Sequence, residues 1–429
     1  MTTFKFLHAA DIHLDSPLRG LETYPDAPVE EIRNASRRAL DNLVELALQQ
    51  KAAFVLLAGD IYDGEWKDYN TSLFFAQRMG RLREADINVF MVSGNHDAAS
   101  VIARNLRPPD NVFVFPGNRP GSRVLDELGV VIHGQSYQTR DTMDDLAASF
   151  PLAQPGRINI GLLHSALSGR PGHDTYAPTR LDVLKSKGYD YWALGHIHQR
   201  EEVSDNPWVV FPGNLQGRHI RESGAKGCTM VEVEEGRISR VAHQDLDVMR
   251  WQHCRVDLGD CENSDDFLKK LRNSLQSCKD ANQNRPLAIR LLLEGQTPLH
   301  NRLQENPAHT RQECRAMAAG LGLIWLERIK VKTRIDNDAL DELDAASPLA
   351  GLINSIKGLS LDANLQEQIP ELASLQTKLP PEMKAEEDVL AFKDHNYLHE
   401  LQENARELLL AHLLGKKEAS NGNGSDWKR

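Results

Sequence analysis

Carboxylates, an amide and imidazoles recur along the first half of this chain directly after short apolar runs. Residues 4–10 lead into Asp11-Ile12-His13, and residues 54–57 into Gly59-Asp60-Ile61-Tyr62-Asp63. Residues 88–92 lead into Gly94-Asn95-His96-Asp97, residues 158–163 into His164, and residues 191–194 into Gly195-His196-Ile197-His198. Carboxylate and imidazole together suit Mn²⁺, Fe²⁺ or Zn²⁺ better than Ca²⁺. Asn95 offers a neutral oxygen, and His96 can protonate or orient a substrate oxygen. A carboxylate at the position of Asp60 can give one oxygen to each of two ions. Each block also has a plainer reading: Asp60 can cap the following helix, Asn95-His96-Asp97 can be a polar turn, and a histidine can sit satisfied in a core. Five such blocks in one order are not what independent caps and turns produce. The set is read as a metal site.

The elements that position these blocks are legible as apolar runs. Each of the five runs is short and closed by glycine or a polar residue, which reads as a buried strand. Helical spacing between 28 and 50 (Ile32, Leu40, Leu43, Val44, Ala47) gives a β-α-β unit with the strands around it, and a second helix is expected at 69–84. Asp11 and His13 point the same way if the backbone stays extended, and so do His196 and His198. Faster strand-like runs follow at 112–115 and 130–133, then at 208–211 before Pro212-Gly213-Asn214, and at 228–234 and 238–243 around a Glu235-Gly236 turn. A Gly/Pro-rich loop at 168–178 carries Arg170 and His173.

Beyond residue 250 the order strand 252–258, helix 265–278, strand 286–294, helix 310–321, strand 322–333 predicts a small α+β domain without metal-like residues. From 336 the chain is acidic and Leu/Ala-rich, with an amphipathic pattern at 397–414 and a polar end expected to be disordered. The expected division is 1–245, 246–335, 336–415 and 416–429.

With 429 residues, a formal charge of −11 and five cysteines lacking any C-x-x-C pair, the composition is that of a globular protein with reduced thiols, expected in the cytoplasm. No apolar run reaches membrane-spanning length and no secretion leader opens the sequence, so no membrane role is expected. The acidic balance argues against broad affinity for nucleic acid by the whole chain, though not against a local basic groove.

The five blocks, with Pro212-Gly213-Asn214 behind them, resemble the calcineurin-like metallophosphoesterases over roughly the first 245 residues. Within that family they resemble DNA repair exonucleases of the SbcD type and their YhaO-like group. The resemblance implies an α/β fold: a metallophosphoesterase β-sandwich flanked by helices, then an α+β capping domain and a helical C-terminal region. It implies two divalent ions, most simply Mn²⁺, one held by Asp11, His13, Asp60 and His198 and the other by Asp60, Asn95, His164 and His196. His96 would then serve the leaving oxygen or the phosphate in a reaction driven by a metal-bridging hydroxide. Some members carry a histidine three residues after the bridging aspartate where this chain has Asp63, a candidate catalytic residue that would orient His96 or support the site from behind. Many members also have Pro-Gly-Ser where this chain has Pro212-Gly213-Asn214. Expected partners are DNA, an SMC-like coiled-coil ATPase docked by the C-terminal helix, and a second copy in a homodimer. The competing readings are a phosphoesterase for nucleotides or other small phosphate esters, and a subunit acting mainly in assembly.

Overall fold

The computed structural model describes residues 3–16, 34–63, 69–99, 109–167 and 177–334, with isolated positions at 351–352, 355–356, 397–399, 401–403, 405–406 and 409. The start of the first expected helix near Pro28, most of the 168–178 loop including Arg170 and His173, most of the 336–415 helical region and the tail lie outside the described residues. Contacts divide the chain into two units: Met1–His253 with Ala281–Ile289, and Cys254–Asp280 with Arg290–Arg429.

The first unit is built on two six-stranded sheets. Strands β1 (Phe4–Ala9), β2 (Phe54–Ala58), β3 (Asn88–Val92) and β4 (Val112–Val114) lie side by side in parallel. Helices α1 (Ala35–Gln49) and α2 (Tyr69–Glu84) make the crossovers, and a single turn, α3 (Asn95–Ala99), follows β3. In the second sheet β6 (Val130–Gln135), β7 (Ile158–His164), β8 (Tyr191–Gly195) and β10 (Trp208–Phe211) are parallel. It is edged by antiparallel β5 (Gly121–Leu125) and β9 (Glu201–Asp205). The chain then returns to the first sheet as β11 (Gly227–Glu234) and β12 (Arg237–Asp245), antiparallel beside β1.

Alternation along the strands explains the layering. In β2, Phe54, Leu56 and Ala58 enter a core shared with Phe6, Phe90, Ile160 and Tyr191 of both sheets. The intervening Val55 and Leu57 face Leu40, Leu43, Phe75 and Met79 of the helices. A strand buried on both faces must read as a continuous apolar run, which is why these segments lack polar alternation. On the outer face of the second sheet, Leu163, Trp192, Leu194 and Phe211 pack with Phe150 and Leu184, the latter from α4 (Leu181–Ser186). The order is helix, sheet, sheet, helix. The parallel strands deliver their C-terminal ends to one rim, where a bridge between Ala10 and Asn214 joins the chain after β1 to the chain after β10.

Beyond the sandwich, β13 (Arg250–Asp257), β14 (Leu287–Gln296) and β15 (Ile324–Arg334) form a three-stranded sheet in that order. Helix α5 (Ser264–Ala281) buries Phe267, Leu271 and Leu275 at four-residue spacing, and α6 (His300–Glu305) and α7 (Pro307–Leu321) precede β15. The Asn306 side chain accepts from the His309 N–H and so starts α7, with Pro307 at its first position. Among the described residues no helix is long and apolar enough to cross a membrane.

Candidate metal centre

Each predicted ligand follows or ends a parallel strand at the common rim: Asp11 and His13 after β1, Asp60 after β2, Asn95 after β3, His164 at the end of β7, His196 and His198 after β8. The structure brings them together. Asp11, His13 and His198 each place a ligand atom within 4.8 Å of the others, and the same holds for His13, Asp60 and His96, and for Asp11, Asp60 and His164. Asn95 Oδ1 lies 3.1 Å from His164 Nε2. His196 sits on the same side, its ring centroid 5.2 Å from that of His164, and its backbone N–H donates to both oxygens of Asp11.

The backbone reason given by the extended-strand pattern is wrong. Asp11, His13, Asp60 and His196 have φ of +51°, +44°, +54° and +102°, so neither D-x-H nor H-x-H stays extended. Left-handed backbone at four non-glycine residues is strained and persists where the surroundings impose it, a pattern that clusters at functional sites. His196 and His198 consequently part company, one toward His164 and the other toward Asp11 and His13. Gly94 has a packing role here, because a Cβ on it would fall on Asp60 Oδ1.

The donor set fits divalent cations. His164 Nδ1 is 2.9 Å from the Ala58 carbonyl, which can only accept, so Nδ1 carries the proton and Nε2 presents a lone pair. That lone pair faces Asn95 Oδ1 and, at 3.4 Å, Asp60 Oδ2. His198 Nδ1 likewise donates to Glu222 Oε1 at 2.7 Å, turning its Nε2 toward His13 Nε2 at 3.3 Å and Asp11 Oδ1 at 3.8 Å. Burial pushes the His13 and His164 pKa values down, keeping both rings neutral, as metal ligation requires. Burial, and then the charge of Asp60, pushes Asp11 up, the response of a desolvated carboxylate beside a like charge. Acceptors converging on acceptors in a buried site are what cations bind. Asp60 Oδ2 stands 3.9 Å from His13 Nε2 on one side and 3.4 Å from His164 Nε2 on the other, between the two groups.

His96 lies at the edge of this cluster, its Nδ1 3.1 Å from Asp63 Oδ1 and its backbone N–H donating to Asp60 Oδ1 at 3.0 Å. Burial opposes protonation of His96, but the Asp63 hydrogen bond and the Asp60 and Asp63 charges outweigh it and raise its pKa. Burial also works against the Asp63 anion. Hydrogen bonds from His96 and Ser16 prevail, and its pKa falls to about 2.

Two supporting carboxylates carried no expectation. Asp97 is buried and accepts the backbone N–H groups of Ile61, Tyr62 and Gly94, tying the turn after β2 to the turn after β3. Glu222, also buried, accepts hydrogen bonds from His198 Nδ1–H, a side-chain N–H of Asn214 and the backbone N–H of Arg218. A metal-ligating histidine is commonly oriented by such a carboxylate. The sequence sign for Asp97 was its place in Gly-Asn-His-Asp; for Glu222 no local pattern pointed to it.

A family model described as calcineurin-like phosphoesterase matches residues 4–200. A second, described as the middle domain of metallophosphoesterase YhaO, matches residues 251–334. A Bacillus subtilis (strain 168) protein named uncharacterized metallophosphoesterase YhaO is 35% identical over 302 residues, spanning 70% of this chain and 73% of that protein. The chain is a calcineurin-like metallophosphoesterase. Membership makes it a metal-dependent hydrolase, and the buried and half-buried histidines and carboxylates at the rim are its candidate ligands. Among solved structures it is similar to a Thermus thermophilus protein (14% identity, 56% of this chain and 99% of that one, TM-score 0.34). It is also similar to a dimetal phosphatase from Danio rerio (11% identity, 54% and 93%, TM-score 0.34).

Proposed function

We propose that this protein is a DNA phosphodiesterase, an exonuclease acting in repair, that works with two divalent ions, most simply Mn²⁺. The observation that carries the dinuclear part is the position of Asp60 Oδ2 between His13 and His164, which suits a carboxylate shared by two ions. Asp11, His13, Asp60 and His198 would hold one ion, and Asp60, Asn95, His164 and His196 the other. When bound, such ions supply an activated water and a clamp on the phosphoryl oxygens.

The chain's own residues do the rest. His164 and His198 keep their Nε2 lone pairs inward because Ala58 O and Glu222 accept hydrogen bonds from their Nδ1–H groups. His96, with Nδ1 held by Asp63, would present its other nitrogen to the site and give a proton to the departing ester oxygen. The ionised Asp63 stabilises the protonated ring through that transfer.

Charge distribution supports a nucleic-acid substrate. In a chain of net charge −11, residues 251–334 carry fourteen Lys and Arg against ten Asp and Glu. Arg328, Lys330, Lys332 and Arg334 fall at alternate positions of β15, the spacing that sets side chains on one strand face. A basic strip of that kind suits a phosphate backbone. The pattern at 397–414 suits docking on a coiled coil of an SMC-like ATPase, and a homodimer would bring two sites to one DNA.

The test is a Mn²⁺-dependent assay on end-labelled single- and double-stranded DNA beside a panel of nucleotides, with Asp60→Ala as blank. Release of mononucleotides from DNA ends is the expected result. Faster cleavage of nucleotide monoesters than of DNA would instead select the small-phosphoester reading.

A further inference from the structure

The segment between Asn214 and Glu222 brings one more charged group to the rim. Arg218 has a side chain only 19% exposed. Its backbone N–H donates to Glu222 Oε2 at 2.7 Å and its Nη2 to Glu222 Oε1 at 3.2 Å, so the carboxylate that orients His198 also fixes the arginine. On the other side Nη1 donates to Ser16 Oγ at 3.4 Å and stands 4.0 Å from Asp63 Oδ2, the carboxylate that holds His96. Nη2 is also 3.4 Å from His198 Nδ1, but that nitrogen is itself a donor to Glu222, so the approach is a contact and not a bond. The guanidinium is therefore suspended between the His96 side and the His198 side of the cluster.

Among the described residues its donors exceed its partners. Guanidinium has five N–H groups in a fixed fork, and the contacts above engage one at normal and one at long distance. Nε is buried without a hydrogen-bond partner among the described residues. Neither neighbouring carboxylate needs the arginine as its principal partner. Glu222 already takes His198 and Asn214, and Asp63 takes His96 and Ser16. A largely buried cation with spare donors, standing between the Asp63–His96 pair and the Glu222–His198 pair, matches a tetrahedral oxyanion better than it matches a closed ion pair.

We propose that Arg218 binds a non-bridging oxygen of the substrate phosphate, fixing the orientation of the phosphoryl group between His96 and His198. The proposal rests on the site acting on phosphate esters, not on DNA being the ester.

The full chain would be compared with Arg218→Ala and Arg218→Lys by three measurements, the first on metal-free protein and the other two on protein loaded with Mn²⁺. These are calorimetric binding of Mn²⁺, calorimetric binding of inorganic phosphate, and kcat and KM for bis(p-nitrophenyl) phosphate. Removing a charge-assisted hydrogen bond is expected to weaken phosphate binding by about tenfold to a hundredfold. Mn²⁺ affinity should stay within about twofold, and KM should rise with the phosphate Kd. Arg218→Lys, which keeps the charge and loses the fork, should recover part of the binding and serves if the alanine variant does not fold. Unchanged phosphate binding in both variants would overturn the proposal. So would a loss of Mn²⁺ affinity as large as the loss of phosphate, which would make Arg218 a support for His198 alone. If the wild type cleaves no diester, the proposed activity falls, while phosphate calorimetry still judges Arg218.

Discussion

Three side chains at the rim separate binding from chemistry. Asp60 stands between two histidine groups and His96 stands beside them with its own carboxylate partner, so their substitutions should fail differently. Asp60→Ala is expected to lose metal, read as loss of Mn²⁺ heat in a titration. His96→Ala should keep that heat and lose about 10²–10⁴-fold in turnover, the usual contribution of a positioned acid or base. Full activity in a purified His96 variant would sink its assigned role. Glu222→Ala leaves the His198 Nδ1 proton without its acceptor and should weaken metal binding by about 10- to 100-fold. At this scale the sequence was informative where residue type and strand end coincide. It placed Asp11, His13, Asp60, Asn95, His96, His164, His196 and His198 in one site. It was silent on Glu222 and Arg218: His198 lies 24 residues from Glu222 and Ser16 lies 202 residues from Arg218, and their segment has no apolar run to mark it.

Among the elements, the turns after β2 and β3 work as a pair. Asp97 receives three backbone N–H groups from them, and Gly94 allows Asp60 to lie against the β3 turn. Gly94→Ala would press a methyl group on the Asp60 carboxylate and should cost about 1–3 kcal/mol in denaturant-midpoint stability, together with metal affinity. Helix α2 and strand β3 occupy the same residues in the structure as in the periodicity, because both bury a clear apolar face or run. Strands β5 and β9 went unread. Gly121–Leu125 and Glu201–Asp205 are edge strands without a single buried residue, so they hold no apolar run to see. The left-handed residues were also invisible, since φ at Asp11 or His13 is imposed by bonds such as Asp11 N–H to Gly59 O and His13 N–H to Asp60 O, made between loops far apart in sequence.

For the whole molecule, the core between the sheets contains one titratable side chain with a clear consequence. His8 is fully buried with Nδ1 3.0 Å from the Tyr191 hydroxyl, and burial lowers its pKa to about 3. The unfolded chain takes up that proton near 6.5 and the folded chain does not, so stability is lost as pH falls from about 6.5 toward 3, by at most ~1.4 kcal/mol per unit. His8→Gln should flatten this part of the stability–pH curve measured by urea unfolding; an unchanged slope would remove His8 as its source. Metal acts in the opposite sense. Saturating Mn²⁺ at about a thousand times its Kd should add about 4 kcal/mol per site, and chelation should lower the melting temperature accordingly.

The placement of the ligands has one more consequence. Asp11, His13, Asp60 and Asn95 come from the first sheet, and His164, His196 and His198 from the second. Either proposed ion therefore draws on both sheets, and neither sheet by itself supplies a complete ligand set. With ions held as proposed, the metal centre would act as a clasp across the seam of the sandwich: it could close only after both halves had formed and met, and once closed it would resist their parting. Metal capture during refolding would then report the completed seam, arriving after the strands are paired and together with the final docking of the two sheets.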